Sequence, residues 1–212
     1  MARLNIAPTK SNLLTLRRDL GVATEGFSLL DQKREILVME LMLLLNQARD
    51  LQTRLTAAQD RALDTLRRTI ARHGADRLQA AAGNVRYAHR VHASTRVVAG
   101  VRVPQISVTL EPIQPQFAFA ASDPAMDELM RQHLDLLALA AALAQMETSV
   151  HLLTHDLKKT QRRVNALEQV FIPNFKDTLK FVRDSLESKE LESIFVLKLV
   201  KTRLADAREK TP

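Results

Sequence analysis

The chain contains no cysteine and no tryptophan, one tyrosine and only five glycines in 212 residues. The missing cysteines exclude disulfides, thiolate metal sites and a thiol nucleophile. Five glycines leave little material for a phosphate-cradling loop, and neither GxxxxGK[ST] nor GxGxxG occurs. Aromatic residues make up 4% of the chain while Leu, Ala, Arg, Gln and Glu abound, a bias toward long helices and away from a sheet-built core. No run approaches the ~20 uncharged apolar residues of a membrane span; the longest, Ile36 to Leu45, is short and contains Glu40. The N-terminus "MARLNIAPTKSN" lacks the apolar core of a secretory signal. Together these features predict a helical, soluble, cytoplasmic protein that is still free to dock on a membrane complex.

The net charge is +7, thinly spread. Residues 1–72 hold 12 Lys/Arg against 8 Asp/Glu, residues 73–121 hold 5 against 2, and residues 122–212 hold 14 of each. A nucleic-acid binder would concentrate that excess in one patch or tail, and a curved membrane-binding helical dimer would put it on one concave face.

What is present is an apolar heptad repeat. Placing Leu13, Leu20, Phe27, Arg34, Leu41, Ala48, Leu55 and Ala62 at position a puts Leu16, Ala23, Leu30, Leu37, Leu44, Leu51, Ala58 and Thr65 at position d. Only Arg34 and Thr65 interrupt the stripe over eight heptads, the signature of a left-handed coiled coil. Pro8 and Thr9 mark the start, with Thr9 as N-cap, and Gly74 the stop. Such a helix is ~95 Å long unless it breaks near Gly21 or Gly26, which would instead make a bundle. A second long helix opens at "SDPAMDEL", with Asp123 as cap and Pro124 in the first helical position. Its apolar spacing runs through Leu143, Met146, Val150, Leu153, Leu157, Thr160, Val164, Leu167 and Phe171. Beyond Pro173 it resumes, shifted in phase, at Phe175, Leu179, Val182 and Leu186. An interior proline costs roughly 3 kcal/mol. The expectation is a bend near 169–173 with both flanks helical.

Between the helices the pattern changes. "AAAGNVRYAHRVHAS" begins as a short helical turn, "STRVVAGVRVPQISVTL" reads as a hairpin turning at Gly100, and Pro104 fits an edge strand or a loop. Prolines 112 and 115 interrupt regular structure. The predicted fold is therefore all-α dominated: a long antiparallel two-helix coiled coil (9–72 and 123–209) with a small hairpin-containing module (73–122) at the end distal to the termini.

No catalytic, cofactor or metal constellation emerges. His151 and His155 in "HLLTH" share a helical face at ligand spacing, but Leu152 stands where an HExxH site carries its glutamate and no third ligand is marked. They read as surface histidines, and the run "DSLESKELE" as a solvated helix face. The paired bases Arg17–Arg18 lie near the terminal end, where they suit an acidic partner.

Two stretches carry a family pattern. "PTKSNLLTLRRDLGVATEGFSLLDQKREILVMEL" (8–41) and "TQRRVNALEQVFIPNFKDTLKFVRDSLESKELESIFVLKLVK" (160–201) resemble the D subunits of the vacuolar and archaeal-type rotary ATPases, and "GVRVPQI" (100–106) is similar to that family's middle segment. The resemblance implies the central rotor stalk, which is non-catalytic and holds no cofactor. It passes torque between the ATP-hydrolysing or synthesising head and the membrane ion-translocating ring. It also implies partners: catalytic and regulatory head subunits, a small companion subunit and a socket subunit above the membrane ring. The protein would then be cytoplasmic and peripheral to the membrane, without nucleic acid or membrane insertion of its own. Charge and position nominate Lys10, Arg17, Arg18, Lys198, Lys201 and Arg203 as contacts to the head. The alternative is a non-catalytic coiled-coil scaffold or tether in another assembly.

Overall fold

A computed structural model describes residues 4–83, 85–86, 89–112 and 123–209. In chain order the elements are α1 (Lys10–His73), α2 (Ala75–Gly83), β1 (Arg90–Val98), β2 (Val101–Thr109), α3 (Pro124–Ala166), a π turn (Leu167–Phe171) and α4 (Ile172–Glu209). By packing the chain falls into two compact units, Met1–Arg34 with Lys159–Pro212 and Glu35–Lys158. The fold class is the predicted one: helices α1 and α3–α4 pack as a pair, with a two-stranded hairpin added. Pro115 lies outside the described residues.

The helix ends form where the caps demand them. Thr9 Oγ1 accepts from the Asn12 N–H at 3.2 Å and the Thr9 carbonyl accepts from Leu13 N–H at 3.0 Å, so Thr9 is the N-cap of α1. Gly74, at φ +80°, ends α1 with its N–H on the Ile70 carbonyl at 2.8 Å. Asp123 caps α3 by accepting the Ala125 N–H at 3.1 Å, ahead of Pro124 at the first helical position. Gly21 and Gly26 do not break α1; open space surrounds both, and the helix runs through them.

In the unit Met1–Arg34 with Lys159–Pro212, the start of α1 packs antiparallel on α4: Lys10 meets Glu190, while Leu13 and Arg17 lie level with Leu186 and Arg183. Leu16, Val164 and Val182 are buried. The residues before α1 are tied down where the Leu4 N–H donates to Thr178 Oγ1 at 3.1 Å. Arg34, the charge in the predicted seam, is neutralised within its own helix by Asp31 at 2.6 Å. That pairing explains how a cation sits half-buried at a core position without a partner from the facing helix.

In the unit Glu35–Lys158, Leu37 and Leu44 of α1, Leu153 of α3 and Val103 of β2 form the core, with Leu41, Met146, Val150 and Leu157 around it. The hairpin is footed on this core: Val98, Ala99 and Val101, at its turn, pack against the same cluster. Val98 pairs with Val101 across a two-residue loop in which Ala99 (φ +50°) and Gly100 (φ +81°) both have positive φ, the geometry that matches strand twist. The Ile106 N–H donates to Gln145 Oε1 of α3 at 2.7 Å and so points away from β1. Pro104 is two residues along and shares that outward direction, so its missing donor costs the ladder nothing.

The buried hydroxyls satisfy themselves. Thr69, Ser149 and Thr178 each donate to the carbonyl four residues back, at 2.7–2.8 Å. By length and composition one helical run, Pro124–Arg203, is long and apolar enough to cross a membrane.

The phase slip before Pro173 takes the form of a π turn. The chain stays helical through it, but the Ile172 N–H bonds the Leu167 carbonyl five residues back, making a π turn. One extra residue per turn moves the covered set from the 164/167 phase to Ile172, Phe175, Leu179, Val182 and Leu186, all buried or half-buried. It also rotates Phe171, expected in the seam, outward to 50% exposure. A proline ring collides with the carbonyl four residues back in an α-helix; the wider π turn immediately before Pro173 relieves that contact.

Two outcomes check this account. Leu153→Ala, at a site with no exposed surface, is expected to lower unfolding free energy by about 2–5 kcal/mol in urea titration. Deleting exposed Val170 together with Pro173→Ala removes both the extra residue and the ring that would clash in an α-helix. The double variant is expected to form a continuous α-helix with both seams in phase and to melt no lower than the parent; a large loss of stability would show that the π turn does not serve the register.

Candidate functional site: interaction surfaces

Among the described residues no group of three His, Asp or Glu side chains stands in metal-binding arrangement, and His151 and His155 are exposed on α3. The features that stand out are surfaces.

The first is the end of α4. Because Lys10 at the start of α1 sits beside Glu190, α4 continues past it without α1 alongside. Every residue from Leu191 to Arg203 is exposed, including Leu191 (63%), Phe195 (68%) and Leu197 (68%). Apolar residues point in several directions there, an exposed apolar surface of the kind that marks interaction sites. Lys198, Lys201 and Arg203 stand on the same stretch, exposed, and Arg17 and Arg18 are exposed on α1 in the same unit. Lys10 is engaged by Glu190 at 2.7 Å, and that partner raises its pKa; it is the one basic candidate already paired.

The second surface is the outer side of α1. A second apolar spacing of seven, displaced from the core seam, occurs in each unit: Val22 and Leu29 in one, Ile36 and Leu43 with Met39 between them in the other, all exposed.

The core seam residues Leu13, Leu20, Phe27, Leu30, Leu41, Leu51, Leu55 and Leu167 are half-buried, and Leu16, Leu37, Leu44 and Val164 are fully buried. Sequence reading missed both the second stripe and the unpaired end of α4. The seven-residue spacing of Val22, Leu29, Ile36 and Leu43 was the available signal for the stripe; the offset between Lys10 and Glu190, needed to see the overhang, was not in the pattern.

A third cluster joins two helix ends. His73 Nε2 lies 2.7 Å from Asp123 Oδ2, and Arg72 stands 3.8 Å from the same oxygen. The hydrogen bond with His73, then that from the Ala125 N–H, hold the Asp123 carboxyl below its usual range. The groove beside it, about 360 Å³, is apolar and lined by Leu66, Leu78, Met126 and Leu129 among others.

Residues 12–202 match the family model for the D subunit of ATP synthase. The chain belongs to the ATP synthase D-subunit family. Among its relatives, the V-type ATP synthase D subunit 2 of Treponema pallidum (strain Nichols) is 37% identical over 198 residues, covering 93% of this chain and 95% of the relative. The A-type ATP synthase D subunit of Pyrococcus horikoshii is 35% identical over 209 residues and 97% of each chain. The V-type ATP synthase D subunit of Thermotoga neapolitana is 32% identical over 202 residues, 95% of this chain and all of the relative. Membership in a V/A-type ATP synthase accounts for surfaces shaped for partners.

The Asp123 cluster gives a pH test. A carboxyl whose folded pKa is depressed stabilises the fold above its unfolded value, near 3.9, and loses that contribution as pH falls through the folded value. Asp123→Asn is therefore expected to lower the melting temperature at pH 7, and the gap to the parent to close on acidification below about pH 4. A gap that persists unchanged at pH 2 would mean the carboxylate charge is irrelevant.

Proposed function

We propose that this protein is the central stalk of a V/A-type rotary ATPase, a non-catalytic rotor shaft that transmits torque between the ATP-hydrolysing or synthesising head and the membrane ion-translocating ring. The observation that carries the reading is the exposed apolar end of α4, Leu191 to Val200, on a member of the D-subunit family. A family member that assembles with others has reason to keep a helix end apolar on all sides, because a surrounding ring of subunits covers it. Torque needs a stiff element, and the packed antiparallel seam within each unit supplies one.

On this reading the exposed α4 end, with Lys198, Lys201 and Arg203, meets the head subunits, and Arg17 and Arg18 face acidic loops of the same ring. Rim charges of this kind attract without locking, which suits a surface that turns. An asymmetric shaft presents a different side to each of several chemically identical sites and so biases each toward a different conformation. Either part of the second apolar stripe on α1, Val22 with Leu29 or Ile36 with Leu43, offers a seat for a helix of the small companion subunit, and a socket subunit above the membrane ring completes the partners. The protein is then cytoplasmic and peripheral to the membrane through the complex. A scaffold or tether in another assembly would share the helix pair but would not need an apolar terminal overhang beside a basic rim.

The test is co-assembly. Full-length chain expressed with the head subunits of its own complex is expected to co-purify with them. Phe195→Asp combined with Leu199→Asp is expected to abolish ATP-driven coupling while circular dichroism and melting temperature stay at parental values, since neither residue is covered in the isolated chain. Full coupling by that variant, or failure of the parent to co-purify, would overturn the reading.

A further inference from the structure

The hairpin leaves one strand edge open. Of the nine residues of β1, Arg90 to Val97 are exposed, and only Val98, at the turn, is partly covered. β2 lies against the helices through Val103 and the Ile106–Gln145 hydrogen bond. Among the described residues β1 is paired only to β2. From these contacts we infer that the free edge of β1 is a docking site for an extended acidic segment of another subunit, added to the hairpin as a third strand.

The backbone geometry comes first. Ile106 directs its N–H away from β1, so Ile106 and Ala93, which face each other, form a non-hydrogen-bonded pair. The alternation then fixes the rest: Val91, Ala93, Thr95 and Val97 turn their N–H and carbonyl groups outward, away from β2. An edge of this kind templates a further strand. Soluble proteins blunt such edges with charged side chains, proline or a bulge. β1 carries charge at Arg90 and Arg96, but the hairpin's proline is on the other strand and the β1–β2 register runs without a bulge from Arg90–Thr109 to Val98–Val101, so its backbone stays free to pair while its arginines select an acidic partner.

The side chains give the partner its chemistry. Arg90, His92, Ser94 and Arg96 share one face of β1, opposite Thr109, Ser107, Gln105 and Val103. Val91, Ala93, Thr95 and Val97 share the other, continuous with half-covered Val108, Ile106 and Pro104. Val91 is 58% and Val97 67% exposed. Among the described residues Arg90, His92 and Arg96 have no ion-pair or hydrogen-bond partner. The incoming strand therefore alternates, with apolar residues extending the Val91–Ile106 face and acidic residues meeting Arg90 and Arg96.

A second copy of this chain brings no acidic residue to the edge: antiparallel self-pairing centred on Ala93 sets Arg90 opposite Arg96 twice, and pairing centred on Ser94 sets His92 opposite Arg96 twice, so neither register answers the arginines. The choice of an ATPase subunit as donor rests on the stalk reading; the open edge does not.

Amide hydrogen exchange of the full chain, alone and in the assembled complex, tests the proposal. The amides of Val91, Ala93, Thr95 and Val97 are expected to exchange fast in the isolated chain and ~100-fold more slowly in the complex. Ala93→Pro removes one outward donor and spares the ladder, as Pro104 does on β2; it is expected to fold and assemble but to lose the protection at Val91 and Thr95. Arg90→Glu with Arg96→Glu is expected to reduce protection ~10-fold, more at low salt than at high. Equal exchange in the isolated and assembled chain would overturn the docking site. Protection untouched by the charge reversal would overturn the acidic partner, and protection in the isolated chain with a dimer mass would overturn the choice of occupant. If the chain fails to assemble at all, the stalk reading falls, whereas assembly with an unprotected β1 defeats the edge proposal alone.

Discussion

The constraint on which the rest of the structure depends is the period of one apolar stripe. Repeating every seven residues along α1, it presents Leu16, Leu37, Leu44, Ala58 and Ala62 to whatever packs opposite, and these are the residues that become buried. Each fully buried leucine contributes roughly 1.5–3 kcal/mol, and a slip by one position along a helix would turn the stripe away. The facing helix must therefore present its own apolar residues in phase over the same length. Several polar residues that enter the seam are answered inside one helix: Arg34 by Asp31, and Thr69 and Ser149 by carbonyls of their own preceding turns.

That demand explains the π turn. The C-terminal helix carries two apolar sets, one in phase through Leu167 and another in phase from Ile172. A continuous α-helix would bury one set and expose the other. Inserting a single residue's worth of winding at Leu167–Phe171 lets both face inward, and it sacrifices Phe171, which turns to solvent. Pro173 fits this arrangement because its absent N–H falls where the regular bonding is already interrupted. The proline and the π turn are thus two aspects of one adjustment.

The sequence made the seam legible because heptad periodicity is a property of one helix and needs no knowledge of its partner. The caps were legible for the same reason: Thr9, Gly74, Asp123 and Pro124 act within a few residues of themselves. The hairpin turn could be read from Gly100. What escaped was everything fixed by packing at a distance. The hairpin's footing on Leu37, Leu44 and Leu153 depends on where the turn lands along the helices. The pairing of Lys10 with Glu190 sets how far α4 runs on unpaired, and no local pattern encodes that offset. The π turn before Pro173 escaped because the sequence records only its mark, a shifted phase followed by a proline, and not how the backbone accommodates it.

The exposed apolar residues complete the physical argument. Leaving leucine and phenylalanine in water forfeits the stabilisation that burial gives, and the outer stripe of α1 and the end of α4 forfeit it at many positions. Neither surface is covered within its own unit: the exposed residues of α1 lie off its core seam, and the end of α4 runs on beyond Lys10, where α1 begins. Charged residues at those positions would make a more soluble isolated chain, so the present residues are best explained by states in which other molecules cover them. On the proposed stalk reading, the internal seam makes each helix pair rigid enough to bear load, and the exposed apolar surfaces and the edge of β1 are where that load would pass to neighbours.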